Sequence, residues 1–323
     1  MFHQHGDPAD VLRVKEQDLP QLGPHEVLVE MRAAPINPVD LNVIEGKYPV
    51  RPQMPAVAGS EGIGVVAEMG ATAHGVQLGE HVILPQGVGT WREKVVVNSA
   101  LLFPVTLEIS VEQAAMLRIN SPTAWRMLHD FVELRAGDWI LQNAANSGVG
   151  HAVIQIAKSL GVRTINVVRR AELLDELSRA GGDVVLLDDE KLLDAIFEAT
   201  NRAPILLALN AVGGESAVRL ANALAPGGTL VTYGAMGRQP LKIPNGLLIF
   251  KDLRWRGFWI TKWYEAAPRQ EIDAMFSKIF PLAKSGVLSS PIEKIYGIED
   301  TRAAIEHAQK SRRSGKILFR FGS

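Results

Sequence analysis

Along the first third of the chain, apolar positions come in short runs broken by glycine and proline: EVLVEMRAAPINP from Glu26, AGSEGIGVVAEMG from Ala58 and GEHVILP from Gly79. Short runs with frequent turn residues predict a β-rich, barrel-like domain over residues 1–113. From 114 to 262 the rhythm changes. Apolar runs with little alternation (DWILQN, VRTINVV, DVVLLDD, ILLALNAVGG, GTLVTYGAM, LRWRGFWI) are separated by amphipathic stretches. These are GVGHAVIQIAKSLG, ELLDELSRAG, KLLDAIFEAT and a helix from about Ser216. Strands without alternation, spaced by helices, predict a parallel sheet covered on both faces. Residues 263–323 offer a helix in RQEIDAMFSKIFPLAKSG, a strand in IEKIYG, a helix in EDTRAAIEHAQKS and a closing strand, GKILFRF. Those last strands are expected to rejoin the first lobe. The fold class is therefore α/β.

Length agrees with two domains, because 323 residues exceed what one core serves efficiently. A formal net charge of −1 argues against nucleic acid as a partner, since phosphate binding leaves a basic excess. No apolar run reaches the roughly 18–20 residues of a membrane helix, so no membrane partner is expected. The segment MFHQHGDPADVL lacks the signature of a signal peptide or a presequence, which makes a cytoplasmic setting the expectation. Cysteine is absent, which removes disulfides, thiolate catalysis and thiolate-bound zinc. The eight histidines show no pair at helical i, i+4 spacing, and no metal site is expected.

Chemistry concentrates in QNAANSGVGHAVIQIAKSLGVRTINVVRR, residues 142–170. A dinucleotide-binding turn needs a tight bend, close approach of backbone to pyrophosphate, and a helix N-terminus aimed at the phosphates. The three glycine positions of that fingerprint are held by Ala145, Ser147 and Gly150, with Asn146, Gly148 and Val149 filling the turn. Strand before and helix after give the pattern its context. The competing reading is an ordinary glycine-containing βα turn. The second strand ends in Arg169, nineteen residues beyond Gly150, and Arg170, with no acid before Glu172. A carboxylate there would hold a ribose 2′-hydroxyl, whereas a guanidinium binds a 2′-phosphate bidentately. NADPH is the cofactor this segment asks for, unless both arginines are merely solvated cations.

Taken together, these features resemble the medium-chain dehydrogenase/reductase superfamily. The resemblance implies a GroES-like catalytic domain built from both chain ends (1–113 with 263–323) around a Rossmann domain with a doubly wound parallel sheet (114–262). Zinc-dependent members carry a Cys, a His-Glu pair and a second Cys. Here those stretches read APINPVD, Ser60-Glu61 and LRINSPTAW, so the ligand set is gone. Without a Lewis acid, the resemblance points to reduction of an activated C=C bond or a quinone.

Within the superfamily, NPVDLNVIEGKYPVRPQMPAVAGSEG, GVGTWRE, INSPTAWRMLHDFVEL, QNAANSGVGHAVIQIA, LALNAVGG, GGTLVTYGAM and LLIFKDLRWRGFWITKW resemble the trans-2-enoyl-thioester reductases of fatty acid synthesis. That resemblance implies Tyr48, in EGKYP, as the catalytic phenol. It implies Asn120, the Tyr233–Gly234–Ala235–Met236 segment, Phe258–Trp259–Ile260–Thr261 and Lys316 as cofactor contacts, with Trp259 also a wall for the acyl chain. The sequence departs from the family at Ala235, where glycine is frequent, and beyond Trp259. Each of these residues also has a plain structural reading: Tyr48 as a packed turn residue, the RWRGFWI aromatics as core or as an edge strand joining two subunits of a homodimer. The implied substrate is an enoyl thioester on CoA or a carrier protein. The alternatives are an NADPH:quinone oxidoreductase and a protein that keeps NADPH without turnover.

Overall fold

The computed structural model describes residues 1–105 and 108–322, arranged in two compact units. One is Met1–Ile119 with Phe280–Ser323, the other Asn120–Ile279. The first unit holds strands β1 (Glu26–Pro35), β2 (Ile63–Met69), β3 (His81–Ile83), β4 (Lys94–Asn98) and β5 (Phe103–Pro104). The second holds β6 (Trp139–Asn143), β7 (Arg163–Val168), β8 (Val184–Leu187), β9 (Ile205–Asn210), β10 (Thr229–Thr232) and β11 (Arg254–Gly257). The chain then returns to the first unit with β12 (Ile292–Tyr296) and β13 (Lys316–Arg320).

The first unit is a seven-stranded sheet in the order β12-β13-β1-β2-β3-β5, with β4 also paired to β1. Strand β1 organises it. Val27, Val29, Met31 and Ala33 are buried, while Glu30 and Arg32 face outward and pair at 3.3 Å, the period-two pattern of a sheet with one wet face. The closing strand returns against β1, with Ala33 opposite Arg320 and Pro35 opposite Leu318. Beneath it, Trp91 donates its indole N–H to the Pro35 carbonyl at 3.2 Å and meets the Phe319 ring edge-on at 5.3 Å.

The second unit is a six-stranded sheet in the order β11-β10-β9-β6-β7-β8, parallel throughout. All five β6 residues are buried, as expected of a strand covered on both faces. Strand order runs outward from β6 in both directions, so the topological switch point lies between β6 and β9. In open α/β sheets that is where ligands bind, at the carboxyl ends of the strands.

Three details differ from the sequence expectation. The strand expected through 253–260 stops at Gly257, and a helix, Ile260–Ala266, begins after Trp259. The helix expected from about Ser216 starts at Gly214, because Gly213 and Gly214, with φ of +86° and +51°, make the reversal that other residues resist. A helix over Asn120–His129 had no counterpart; Pro122 sits in its first turn, where no intrahelical donor is lost.

Candidate active site

In the second unit, the turn after β6 leads into the helix Gly148–Ser159, capped by Ser147. The Ser147 hydroxyl accepts from the Gly150 amide at 3.1 Å, satisfying one donor of the first turn. A Cβ at Gly150 would stand 2.3 Å from the Ala145 carbonyl oxygen, so only glycine lets the helix approach the strand end this closely. Ala144 takes a left-handed φ of +48° to make the bend. Asn146 is exposed, and Ser147, Gly148 and Val149 are half-buried at the positive end of the helix. Arg169 follows directly on β7 and is exposed; among the described residues no hydrogen bond or ion pair engages its guanidinium. Arg170 pairs with Glu172 at 3.4 Å.

Strand β10 delivers the segment Tyr233–Met236. Its backbone hangs on the neighbouring loop: the Tyr233 amide donates to the Asn210 carbonyl at 3.0 Å, and the Met236 amide donates to Ala211 at 2.8 Å. Burial of the Tyr233 hydroxyl pushes its pKa well above the usual phenol range, only partly offset by Ser147 beside it. Gly234 is half-buried, Ala235 exposed, and Met236 is 59% exposed, a large apolar side chain left open to solvent. After β11, Phe258 donates its amide to Thr232 at 3.0 Å and stands edge-on to Phe131 at 5.9 Å. Trp259 and Thr261 are half-buried, and Ile260 is buried. Asn120 is 8% exposed, yet its side-chain N–H group has no partner among the described residues. A buried donor of that kind needs an acceptor, which a ligand or a water molecule can supply.

In the first unit, Tyr48 lies half-buried just past the helix Pro38–Ile44, after a turn in which Gly46 takes a φ of +73°. The helix is capped reciprocally by Asn37 and Asp40, with the Asn37 amide donating to Asp40 at 2.7 Å. Glu61, fully buried, accepts from the Asn37 side-chain amide at 2.8 Å and from the Arg118 and Ile119 backbone amides at 3.1 and 3.0 Å. Lys316 donates its ammonium to the Asn37 Oδ1. One ammonium and two carboxyls thus lie close together, with Asp40 and Glu61 buried and Lys316 half-buried. Burial raises Asp40 to about 7 against the pull of the Asn37 amide, Ser60 and Lys316. Burial also pushes Glu61 up, opposed by Lys316, and pushes Lys316 down, opposed by Glu61. Among the described residues no group of three or more His, Cys, Asp or Glu side chains is placed to hold a metal ion.

Sequence reasoning did not single out Asp40 or Asn37, although the Asn-x-x-Asp spacing ahead of an apolar run is a capping signal. It also passed over Asn143 and Asn210. Both are buried polar residues that close largely apolar strands, and that contrast marks them in retrospect.

Residues 23–106 match the family described as the alcohol dehydrogenase GroES-like domain, and residues 148–278 the family described as zinc-binding dehydrogenase. The mitochondrial enoyl-[acyl-carrier-protein] reductase of Rattus norvegicus is 42% identical over 316 residues, covering 96% of this chain and 85% of the relative. The Homo sapiens enzyme of the same name is 41% identical over 324 residues, covering 98% and 87%. Among solved structures, the Etr1p/NADP/crotonyl-CoA complex superposes with a TM-score of 0.89 at 29% identity, covering 99% of this chain and 98% of that one. The Escherichia coli quinone oxidoreductase complexed with NADPH gives a TM-score of 0.88 at 25% identity, with the same coverage. The relatives overturn one expectation. They are named mitochondrial, so the cytoplasmic setting inferred from the N-terminal segment is corrected. A targeting segment is removed from the mature protein, so the residues of a folded body do not report it.

Proposed function

This chain belongs to the enoyl-thioester reductase family of the medium-chain dehydrogenase/reductase superfamily, and on that basis we propose a role for each residue of its site. The reaction is NADPH-dependent reduction of the carbon–carbon double bond of a 2-enoyl thioester, carried on CoA or acyl carrier protein. The observation that carries the cofactor reading is the Ser147-capped helix at the switch point, set beside a β7 that is followed directly by Arg169, with no acid before Glu172. Amides of Asn146 to Val149 receive the pyrophosphate. Arg169, aided by Arg170, takes the 2′-phosphate. Asn120, whose buried donor lacks an acceptor, Tyr233–Met236, Phe258–Thr261 and Lys316 serve the rest of the dinucleotide.

NADPH, when bound, supplies the hydride that Cβ of the substrate receives. The protein must then manage the negative charge that develops over the thioester oxygen and Cα. We assign that role to Tyr48, whose phenol O–H hydrogen-bonds the enolate oxygen or supports delivery of the proton to Cα. Trp259 borders the acyl chain and excludes water. The balance closes with one hydride and one proton added across the double bond.

A homodimer suits this chain. Strand β11 ends the sheet with an unpaired edge, and nearby Ile249 and Phe250 are 69% and 84% exposed. An unpaired edge beside apolar side chains favours a second copy.

Tyr48→Phe tests the assignment. Removing one donor made mainly in the transition state should cost on the order of 10² to 10³ in kcat, about 2.7–4 kcal/mol. NADPH affinity should barely change. Near-normal enoyl reduction with a lowered melting temperature would return Tyr48 to a packing role.

A further inference from the structure

Where β6 and β9 run side by side, each ends in a buried asparagine: Asn143 is 1% exposed and Asn210 is 0%. The Asn143 Nδ2 donates to the Asn210 Oδ1 at 2.9 Å, directly across the switch point. Its second proton goes to the Ser216 hydroxyl at 2.9 Å, and its Oδ1 accepts from the Ala211 amide at 2.7 Å. The Asn210 Oδ1 accepts from the Val212 and Gly213 amides at 3.2 and 3.0 Å, a local turn in which the side chain replaces a backbone acceptor. Its Nδ2 donates to the Thr232 hydroxyl, at the end of β10, at 3.1 Å.

Three successive amides, 211 to 213, are thus held by two side chains rather than by the sheet. The carbonyls of the same segment carry the next loop. Asn210 accepts from Tyr233 at 3.0 Å, Ala211 from Met236 at 2.8 Å and Val212 from Gly237 at 2.9 Å. A continuous chain of hydrogen bonds therefore runs from the end of β6, through the loop after β9, to the loop after β10. Apolar residues of similar size would fill the same space without fixing any of these amides.

We propose that Asn143 and Asn210 are positioning residues of the dinucleotide site, holding residues 211–213 and through them Tyr233–Gly237 in the arrangement that receives NADPH. This rests on the assignment of Tyr233–Met236 to the cofactor.

The test uses the full-length protein and two readouts: amide hydrogen exchange of residues 211–213 and 233–237 without ligand, and NADPH affinity by fluorescence titration. Asn143→Ala and Asn210→Ala should each lose protection at these amides and weaken NADPH binding about tenfold, about 1.4 kcal/mol. Asn210→Ser, whose hydroxyl can accept from the same two amides, should recover affinity to within about threefold of wild type. Ser216→Ala removes an Asn143 bond off this path; it should lower the melting temperature and leave NADPH affinity within about twofold. If Asn143→Ala does not fold, the Ala and Ser pair at 210 carries the comparison. Wild-type NADPH affinity in both alanine variants, or an Asn210→Ser variant no better than Asn210→Ala, would overturn the inference. Tyr233→Ala tests the cofactor assignment separately. Unchanged affinity there means the assignment of the loop has failed, whereas weakened binding there with unaffected asparagine variants means only the positioning role has failed.

Discussion

Arg169 and Arg170 stand side by side in sequence but not in circumstance. Arg170 already shares its charge with Glu172, whereas Arg169 lies exposed with no partner among the described residues. A guanidinium that gives up no protein contact has more to gain from a phosphate. Arg169→Ala should therefore weaken NADPH binding about tenfold, about 1.4 kcal/mol, and leave NADH binding nearly unchanged. Arg170→Ala should do less. Direct titration of both nucleotides checks this, and an equal loss of NADPH and NADH affinity would contradict the 2′-phosphate assignment. This part of the site is legible in sequence because it is local: turn, helix and Arg169 lie on one short stretch. The Asn37–Asp40–Glu61–Lys316 pocket is not. Asn37 meets Glu61 across 24 positions and Lys316 across 279, and no periodicity announces such partners.

Elements of regular period were readable for the same reason. The five buried residues of β6 and the helix after it follow from apolar runs and a capping serine. The element borders after β11 were harder, because GFWI is as compatible with a strand's end as with a helix's start, and hydrogen bonding rather than pattern decides. The junction of β6 with its helix can be probed by Gly150→Ala. That change places a methyl group 2.3 Å from the Ala145 carbonyl oxygen, so the helix Gly148–Ser159 must move off the strand. Overpacking of this kind costs about 1–3 kcal/mol. A thermal melt should show that loss, and NADPH titration should show weakened binding, because the displaced amides are those assigned to the pyrophosphate. A stable variant with unchanged affinity would mean the close approach is dispensable.

Across the molecule, a buried acid of the first unit, Asp40, couples stability to pH. Asp40 has a folded pKa of about 7 against an ordinary 3.8, so the folded state holds a proton that the unfolded state releases between those values. Its contribution is complete below the lower value and is lost as pH rises through the upper one, at up to about 1.4 kcal/mol per pH unit. Asp40→Asn keeps an acceptor for the Asn37 amide and cannot ionise. Denaturation followed from roughly pH 4 to roughly pH 8, across both values, should show a flatter profile for the variant. An unaltered slope would mean that Asp40 does not set the pH dependence. Assembly is tested by Phe250→Glu. Sedimentation should find the wild type dimeric and the variant shifted toward monomer, whereas a wild-type monomer would contradict the edge-strand dimer. Substrate choice matters most, since the fold is shared with NADPH-bound quinone oxidoreductase. It is decided by following NADPH oxidation by the wild-type protein and Tyr48→Phe with crotonyl-CoA and with a quinone, side by side. Efficient turnover of the enoyl thioester should collapse in the variant, with quinone reduction, if any, left intact. Turnover of quinone alone, or thioester reduction indifferent to the loss of the phenol, would contradict the assignment of this chain's chemistry to Tyr48 and the enoyl thioester.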